Sequence, residues 1–464
     1  MCGIFGIFNH PEAANLVYLG LHGLQHRGQE GSGIVSADGS NLYCKKGMGL
    51  VSEIFKDANF TRLKGFSAIG HNRYSTYGES IIENVQPVVV NYALGSLALA
   101  HNGNLVNASF LRSELEAYGS IFQSTIDSEV IVHLIAISKG RTVVDRLIDA
   151  LKRVKGAYSL LILTDKEMIA VRDTYGFRPL SIGEIDGAYV LSSETSTFDL
   201  IGANFIRDIL PGEIVVINNG GINSYMPFAK TREAMCIFEH IYFARPDSCI
   251  FGENVNVVRK KMGLQLAKEA GVDADIVIPV PDSGNPAALG YAEGSGIPFD
   301  NGLIRSHYVG RTFIEPKQSI RHFGVRLKLN PVKEALKGKR VVVIDDSIVR
   351  GTTSNKIVTM IREAGAHEVH MRIASPPIKF SCFYGIDTPT RKELIASKMN
   401  VEDVRRHLSA DTLAYLSIEG MLKAVSSPPY RFCVACFNGE YPIPFTDEEI
   451  NQLGLFDLPP MGSE

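Results

Sequence analysis

Cys2 directly follows Met1, and removal of the methionine, expected before a small side chain, leaves a residue carrying nucleophile and base together. A free thiol ionises near ~8.5 and a chain-terminal α-amine near ~7.7–8.0, so the amine can take the thiol proton at neutral pH. A lysine, at ~10.4, could not do so without a large shift. Taken alone, a cysteine at position two is most simply an accident. Four further groups accompany it in chain order: His26-Arg-Gly, His71-Asn-Arg-Tyr-Ser-Thr, His101-Asn-Gly-Asn and Asp127-Ser-Glu.

A second chemistry sits in the run Val341-Val-Val-Ile-Asp-Asp-Ser-Ile-Val-Arg-Gly-Thr-Thr-Ser354. Its four β-branched residues predict a strand buried on both faces. Asp345 and Asp346 then fall at the strand's carboxyl end, where open α/β sheets place their ligands. Gly351, Thr352, Thr353 and Ser354 lead into a helix whose free N–H groups, hydroxyls and dipole suit a phosphate. Two adjacent acids repel a bare phosphate, so they fit ribose hydroxyls or Mg²⁺. As an isolated pair they could equally do no more than cap a helix.

The seven cysteines are Cys2, Cys44, Cys236, Cys249, Cys382, Cys433 and Cys436, an odd number thinly spread over 464 residues. A disulfide framework is not expected from that pattern. Cys433-Val-Ala-Cys436 has a spacing that serves Zn²⁺, an iron–sulfur cluster or redox exchange, and inert buried thiols remain the plain alternative.

These groups need elements to hold them. Short apolar runs broken by Gly, Asn and Asp (Ile4 to Phe8, Phe66 to Ile69, Leu97 to Ala100, Tyr158 to Leu163, Gly212 to Ile217) predict layered β-sheets in the first half. Pro11 to Gln25 and Ser128 to Ser138 read as amphipathic helices. In the second half, strands at Asp275 and Lys339 alternate with helices such as Thr353 to Ala364, which predicts a parallel α/β sheet. The change of pattern places a boundary near Ala229 to Ala234. A length of 464 residues accommodates two or three domains at about 150 residues each. Hydrophobic residues make up 45% and charged residues 21%, an ordinary globular balance. The net charge of −3 gives no basic field for nucleic acid or an anionic membrane. No apolar stretch approaches the ~20 residues of a membrane span, and the N-terminus lacks a signal-peptide pattern. A cytoplasmic protein is expected.

The run ending at Ser354 resembles the phosphoribosylpyrophosphate (PRPP) loop of type I phosphoribosyltransferases, and Pro279-Val-Pro-Asp-Ser-Gly284 resembles that family's pyrophosphate loop. The resemblance implies PRPP contacts from Ser283, Arg311, Asp345, Asp346, Ser347, Arg350, Gly351, Thr352, Thr353 and Ser354, with Mg²⁺ held at Ser283, Asp345 and Asp346. The connection from Tyr308 to Leu329 carries Arg311, Lys317, Arg321, Arg326 and Lys328, and suits a lid that closes on pyrophosphate and excludes water.

The ordered N-terminal motifs are similar to the glutaminase domain of class II (N-terminal nucleophile) amidotransferases. By that likeness Cys2 is the nucleophile, and Arg27, Arg73 and Asp127 bind glutamine. Arg73 would grip the α-carboxylate with its planar fork and Asp127 the α-ammonium. The Asn102 side chain and the Gly103 N–H would form the oxyanion hole.

From Cys2 to about Tyr441 the chain resembles the glutamine PRPP amidotransferase family, in the branch that holds a [4Fe–4S] cluster. That likeness implies cluster ligation by Cys236, Cys382, Cys433 and Cys436, and leaves Cys44 and Cys249 unassigned. The implied fold is an N-terminal-nucleophile αββα glutaminase sandwich over residues 2–230. A type I phosphoribosyltransferase parallel α/β domain follows over 231–445, then a tail over 446–464. The implied reaction converts PRPP, glutamine and water to 5-phosphoribosylamine, pyrophosphate and glutamate, with ammonia channelled between the sites. Implied also are a homotetramer and inhibition by the purine nucleotides AMP, GMP, ADP and GDP; many cluster-bearing relatives carry a short propeptide before the catalytic cysteine, where this sequence has Met1 alone. A PRPP-sensing regulator without catalysis is the competing reading; it would not need Cys2, Arg73 or Asn102. A sugar-phosphate amidotransferase would lack the PRPP loop.

Overall fold

The computed structural model describes residues 1–56, 60–75, 78–306 and 328–445. Arg311, Lys317, Arg321 and Arg326 of the expected lid, and the 446–464 tail, lie outside the described residues.

The first half supplies strands β1 (Gly3–Phe8), β2 (Gly31–Ala37), β3 (Leu42–Met48), β4 (Ser67–Arg73), β5 (Val88–Tyr92), β6 (Gly95–Leu105) and β7 (Gly156–Leu163). It continues with β8 (Met168–Arg172), β9 (Ser181–Ile185), β10 (Ala188–Ser192), β11 (Asn204–Asp208), β12 (Ile214–Asn218) and β13 (Gly221–Tyr225). They form two antiparallel sheets, in the orders β11-β9-β10-β1-β4-β2-β3 and β13-β12-β8-β7-β6-β5.

Side-chain alternation stacks these sheets into layers. In β1, Ile4 and Phe8 face the second sheet, while Phe5 and Ile7 face helix α1 (Ala13–Gly23) on the outer side. In β6, Ala98 and Ala100 fill the space between sheets. Leu97 and Leu99 of the same strand pack under α2 (Ala108–Ala117), α3 (Ser128–Ile137) and α4 (Val143–Leu151). Helix, sheet, sheet, helix is the expected αββα sandwich. Helix α1 is shorter than its apolar pattern predicts: after Gly23 the chain tightens into a 3₁₀ turn at Gln25–Arg27, which carries Arg27 inward.

No helix or strand occupies residues 226–234. Beyond them come β14 (Met235–Cys236), β15 (Ile276–Pro279), β16 (Arg340–Asp345), β17 (Glu368–Ile373), β18 (Thr412–Tyr415) and β19 (Phe432–Cys433), with α5 (Val255–Glu269), α6 (Asn285–Ser295) and α7 (Thr352–Glu363). Strands β15-β16-β17-β18 make a wholly parallel four-stranded sheet. Val341 and Val343 project into one core and Val342 and Ile344 into another, all fully buried. A strand apolar on both faces therefore reads as a continuous Val/Ile run.

Candidate functional site

Cys2 is 7% exposed and leads into β1. The β1–β4 register pairs Gly3 with Asn72, which sets Cys2 beside Arg73. The Cys2 thiol lies 3.5 Å from the Tyr74 carbonyl oxygen as donor, and the Cys2 carbonyl accepts the Nε–H of Arg27 at 3.1 Å. Arg27 is itself buried between the carboxylates of Glu194 and Glu239. Burial by itself would lower the Arg27 pKa, but the two carboxylates hold it above its ordinary value. Arg73 is buried and donates to the Glu79 carbonyl at 3.0 Å.

Strand β6 carries the next group. Its pairing with β7 opposes Asn102 to Ser159 and Gly103 to Tyr158. Asn102 is fully buried, and neither its Nδ2 nor its Oδ1 has a hydrogen-bond partner among the described residues. An unsatisfied buried amide costs about 1–3 kcal/mol, a cost that a bound ligand's polar group would relieve. Gly103 has φ +155°, and a Cβ there would lie 2.0 Å from the Ala157 carbonyl oxygen. His101 and Leu105 donate their backbone N–H groups away from β7, to Gln86 Oε1 and Asp127 Oδ2. Strand alternation puts the Gly103 N–H on that same edge, between them.

Asp127 also receives the Ser128 hydroxyl at 3.2 Å and stands 3.7 Å from His101 Nδ1. Burial would lift the Asp127 pKa, but His101 and these donors hold it below the usual range. Burial likewise opposes the imidazolium of His101, and Asp127 more than offsets it, so its pKa is raised.

In the second half, Asp345 and Asp346 are 7% and 6% exposed at the end of β16. Burial, followed by the neighbouring Asp346 carboxylate, pushes Asp345 well above the normal carboxylate range; burial also raises Asp346. The Ser347 hydroxyl donates to Asp346 at 2.5 Å, and Ser283 brings a second hydroxyl to that carboxylate from the Pro279–Gly284 loop. Gly351, at φ +77°, turns the chain into α7. Thr352 and Thr353 are exposed there and Ser354 is buried. Arg350 is more than half exposed and pairs with Glu393 at 3.1 Å.

All seven cysteines are free thiols. Parallel pairing of β14 with β19 sets Cys236 opposite Cys433. Cys382 and Cys436 lie within electrostatic reach of both. Burial pushes the Cys236 thiol up to about 11, and raises Cys433 and Cys436 further. Among the described residues, no three His, Cys, Asp or Glu side chains converge as a single-ion site.

A glutamine amidotransferase domain model matches residues 71–199. Over 455 residues the chain is 53% identical to amidophosphoribosyltransferase 1, chloroplastic, of Arabidopsis thaliana, covering 98% of this chain and 80% of that one. Over 446 residues it is 53% identical to amidophosphoribosyltransferase of Bacillus subtilis, covering 95% and 94%. The solved structure of glutamine PRPP amidotransferase from B. subtilis complexed with ADP and GMP matches with a TM-score of 0.92 at 52% identity, covering 96% of this chain and 98% of that one. The chain belongs to the amidophosphoribosyltransferase family.

Amidophosphoribosyltransferase activity, the first step of purine biosynthesis, favours the enzymatic reading over the sensing one. No described helix is long and apolar enough to cross a membrane. Sequence reading missed Glu194, Glu239, Arg178 and Arg259. Arg178 donates to the Tyr384 carbonyl and to Glu239, and Arg259 places a buried cation near Asp346. Their partners lie tens to hundreds of residues away, so no local spacing marks them.

Proposed function

We propose that two active sites in this chain carry the two halves of the family's reaction, glutamine hydrolysis within residues 2–230 and phosphoribosyl transfer within 231–445. The observation that carries the first assignment is the Asn102 amide, fully buried and without a partner beside the Gly103 backbone.

The Cys2 thiolate adds to the glutamine side-chain amide carbon, and the carbonyl electron pair moves onto oxygen. Asn102 Nδ2 and the Gly103 N–H receive that oxyanion, and losing one such donor typically costs about 2.7–4 kcal/mol of transition-state stabilisation. The pair returns, ammonia leaves with the thiol proton, and water then cleaves the thioester to release glutamate. The base is the Cys2 α-amine after loss of Met1. Arg73 and Asp127 hold the glutamine backbone groups; Arg27, expected from the sequence to join them, is instead enclosed by Glu194, Glu239 and the Cys2 carbonyl with no side-chain surface exposed, and acts on glutamine only through Cys2.

In the second site, Ser283, Ser347, Arg350, Gly351, Thr352, Thr353 and Ser354 bind PRPP, with Arg311 contributed from outside the described residues. Asp345, Asp346 and Ser283 hold Mg²⁺; the fit is the buried acid pair, whose raised pKa values mark a missing positive charge. Mg²⁺ would neutralise charge developing on the departing pyrophosphate. Ammonia reaches the ribose along a sheltered path.

Cys236, Cys382, Cys433 and Cys436 hold a [4Fe–4S] cluster, a fit that rests on one buried and three partly buried free thiols drawn from three segments. The chain works as a cytoplasmic homotetramer inhibited by AMP, GMP, ADP and GDP; the B. subtilis neighbour complexed with ADP and GMP supports nucleotide binding. The deciding experiment is Cys2→Ala, assayed by pyrophosphate release. Glutamine-dependent turnover should vanish while turnover with added ammonia at high pH persists; retained glutamine-dependent activity would remove Cys2 from its role.

A further inference from the structure

Strand β6 is covered on one edge by β7 along its whole inner length, whereas β5 covers the other edge only from Gly95 to Leu99. Beyond Leu99 that other edge is met by side chains, Gln86 Oε1 taking the His101 N–H and Asp127 Oδ2 the Leu105 N–H. Against Gly103 and Asn104 themselves packs the segment Cys382–Gly385, more than 270 residues further along the chain.

Three consecutive residues of that segment are tied down. The Phe383 carbonyl accepts the Asn104 Nδ2–H at 3.0 Å. The Tyr384 carbonyl accepts from Arg178 through Nε at 2.9 Å and Nη2 at 2.5 Å, and the Tyr384 ring stacks on Phe177 at 4.3 Å between centroids. Gly385, at φ +100°, lies directly on Gly103: a Cβ at 385 would stand 2.8 Å from the Gly103 carbonyl carbon and 3.0 Å from its Cα and oxygen. Those are backbone atoms and cannot swing aside. On its opposite side Gly103 meets the Ala157 carbonyl with no more room. The Gly103 peptide is thus clamped between β7 and residue 385, and its neighbour Asn104 is bonded to residue 383.

We propose that the segment Cys382–Gly385 of the second half is a positioning element for the oxyanion hole of the first, with Gly385 and Asn104 as its positioning residues. This rests on the reading of Asn102 and Gly103 as that hole. The hole is then a shared structure. The glutaminase half supplies its donors, and the phosphoribosyltransferase half supplies the wall that aims one of them. Neither Gly385 nor Asn104 touches the substrate. Their effect falls on kcat of glutamine hydrolysis, because an oxyanion exists only after the thiol has added.

The test compares Gly385→Ala, Asn104→Leu and, as a reference, Asn102→Ala in the full-length enzyme. Four quantities are read: kcat and KM for glutamine hydrolysis, ammonia-dependent turnover, and the rate at which iodoacetamide alkylates Cys2, followed by mass spectrometry of its peptide. Alkylation displaces iodide at a saturated carbon and creates no oxyanion, so it reports the thiol and not the hole. Gly385→Ala and Asn104→Leu should each lower glutaminase kcat about 10- to 100-fold, as sub-ångström to ångström misplacement does. KM, ammonia-dependent turnover and alkylation should stay within about twofold, which also shows that the fold survives. Unchanged kcat in both variants overturns the proposal, as does a loss shared equally by all four quantities. If Asn102→Ala fails to show the kcat-only loss, the oxyanion-hole reading falls and takes this inference with it. If Asn102→Ala shows it and the other two do not, the positioning role alone is refuted.

Discussion

Arg27 and Glu239 meet across the two halves through two hydrogen bonds, Nη1 to Oε2 at 3.1 Å and Nη2 to Oε1 at 2.8 Å, with no side-chain surface exposed on either residue. The same guanidinium holds the Cys2 carbonyl at 3.1 Å. A carboxylate from the second half therefore helps to fix Cys2 in the first.

Removing that carboxylate leaves two buried guanidiniums, Arg27 and Arg178, each with one fewer partner. Glu239→Ala should cost about 3–5 kcal/mol of stability, the usual consequence of breaking a buried pair from one side. Glutamine-dependent turnover should fall more than ammonia-dependent turnover, since the pair stands behind Cys2. Denaturant unfolding and the two activity assays check this. An unchanged unfolding midpoint would mean that Glu194 alone satisfies Arg27.

His101 and Asp127 give a pH dependence whose sign follows from their opposite shifts. A histidine raised on folding stabilises the native state fully below its unfolded pKa, about 6.5, and ceases to as pH rises through the folded value. An aspartate lowered on folding stabilises it above about 3.9 and ceases to as pH falls through the folded value. Both contributions are present together between about pH 4 and 6.5. Asp127→Asn should therefore destabilise by about 1.5–3 kcal/mol in that window, and by less in alkaline buffer, where His101 is neutral. Urea unfolding on either side of the window measures the difference, and an equal loss at both would exclude the ion pair as its source.

The sequence made the two chemistries legible for different reasons. The strand before Asp345 is readable because both of its faces are buried, so every residue from Val341 to Ile344 had to be apolar. Cys2, Asn102 and Gly103 stand out in the sequence by residue type within ordered motifs, and the structure sets Cys2 beside Arg73 and leaves the Asn102 amide without a partner among the described residues. The apolar pattern overran helix α1, because Leu24 remains buried after the chain has left the helix. Glu239 and Arg178 were invisible because a buried ion pair needs only complementary charge, and Arg27 finds Glu239 at a separation of 212 residues. Gly385 was equally hidden, since nothing local distinguishes a glycine in a turn from one pressed against another strand.

The buried acids of the second half predict a dependence on divalent cation. Asp345→Asn removes one of the two carboxylates and should lower both glutamine- and ammonia-dependent synthesis, because both nitrogen sources converge on the same ribose. Charge stabilisation of a leaving group by a metal is worth several kcal/mol, so the loss should be about 100-fold or more. Calorimetric titration of PRPP in the presence and absence of Mg²⁺ should show cation-dependent binding in the parent and little in the variant. Cation dependence retained undiminished would separate Asp345 from the metal.

The cysteine quartet carries the last prediction. Cys236 and Cys433 are held in register by β14 and β19, and Cys436 follows three residues later at the start of a short helix. Burial keeps Cys236, Cys433 and Cys436 protonated well past neutrality, a state that a metal–sulfur group reverses by replacing the thiol protons. Protein purified without oxygen should accordingly be brown, with visible absorbance and roughly four irons per chain. Cys433→Ser should bleach it and lower the thermal midpoint, because β19 also anchors Phe432 in the core beneath α5. The Cys382 arm of the site continues directly into Phe383–Gly385, so bleaching should also depress glutaminase kcat. Colourless protein with stoichiometric zinc would reject the cluster while leaving the four thiols as the ligands.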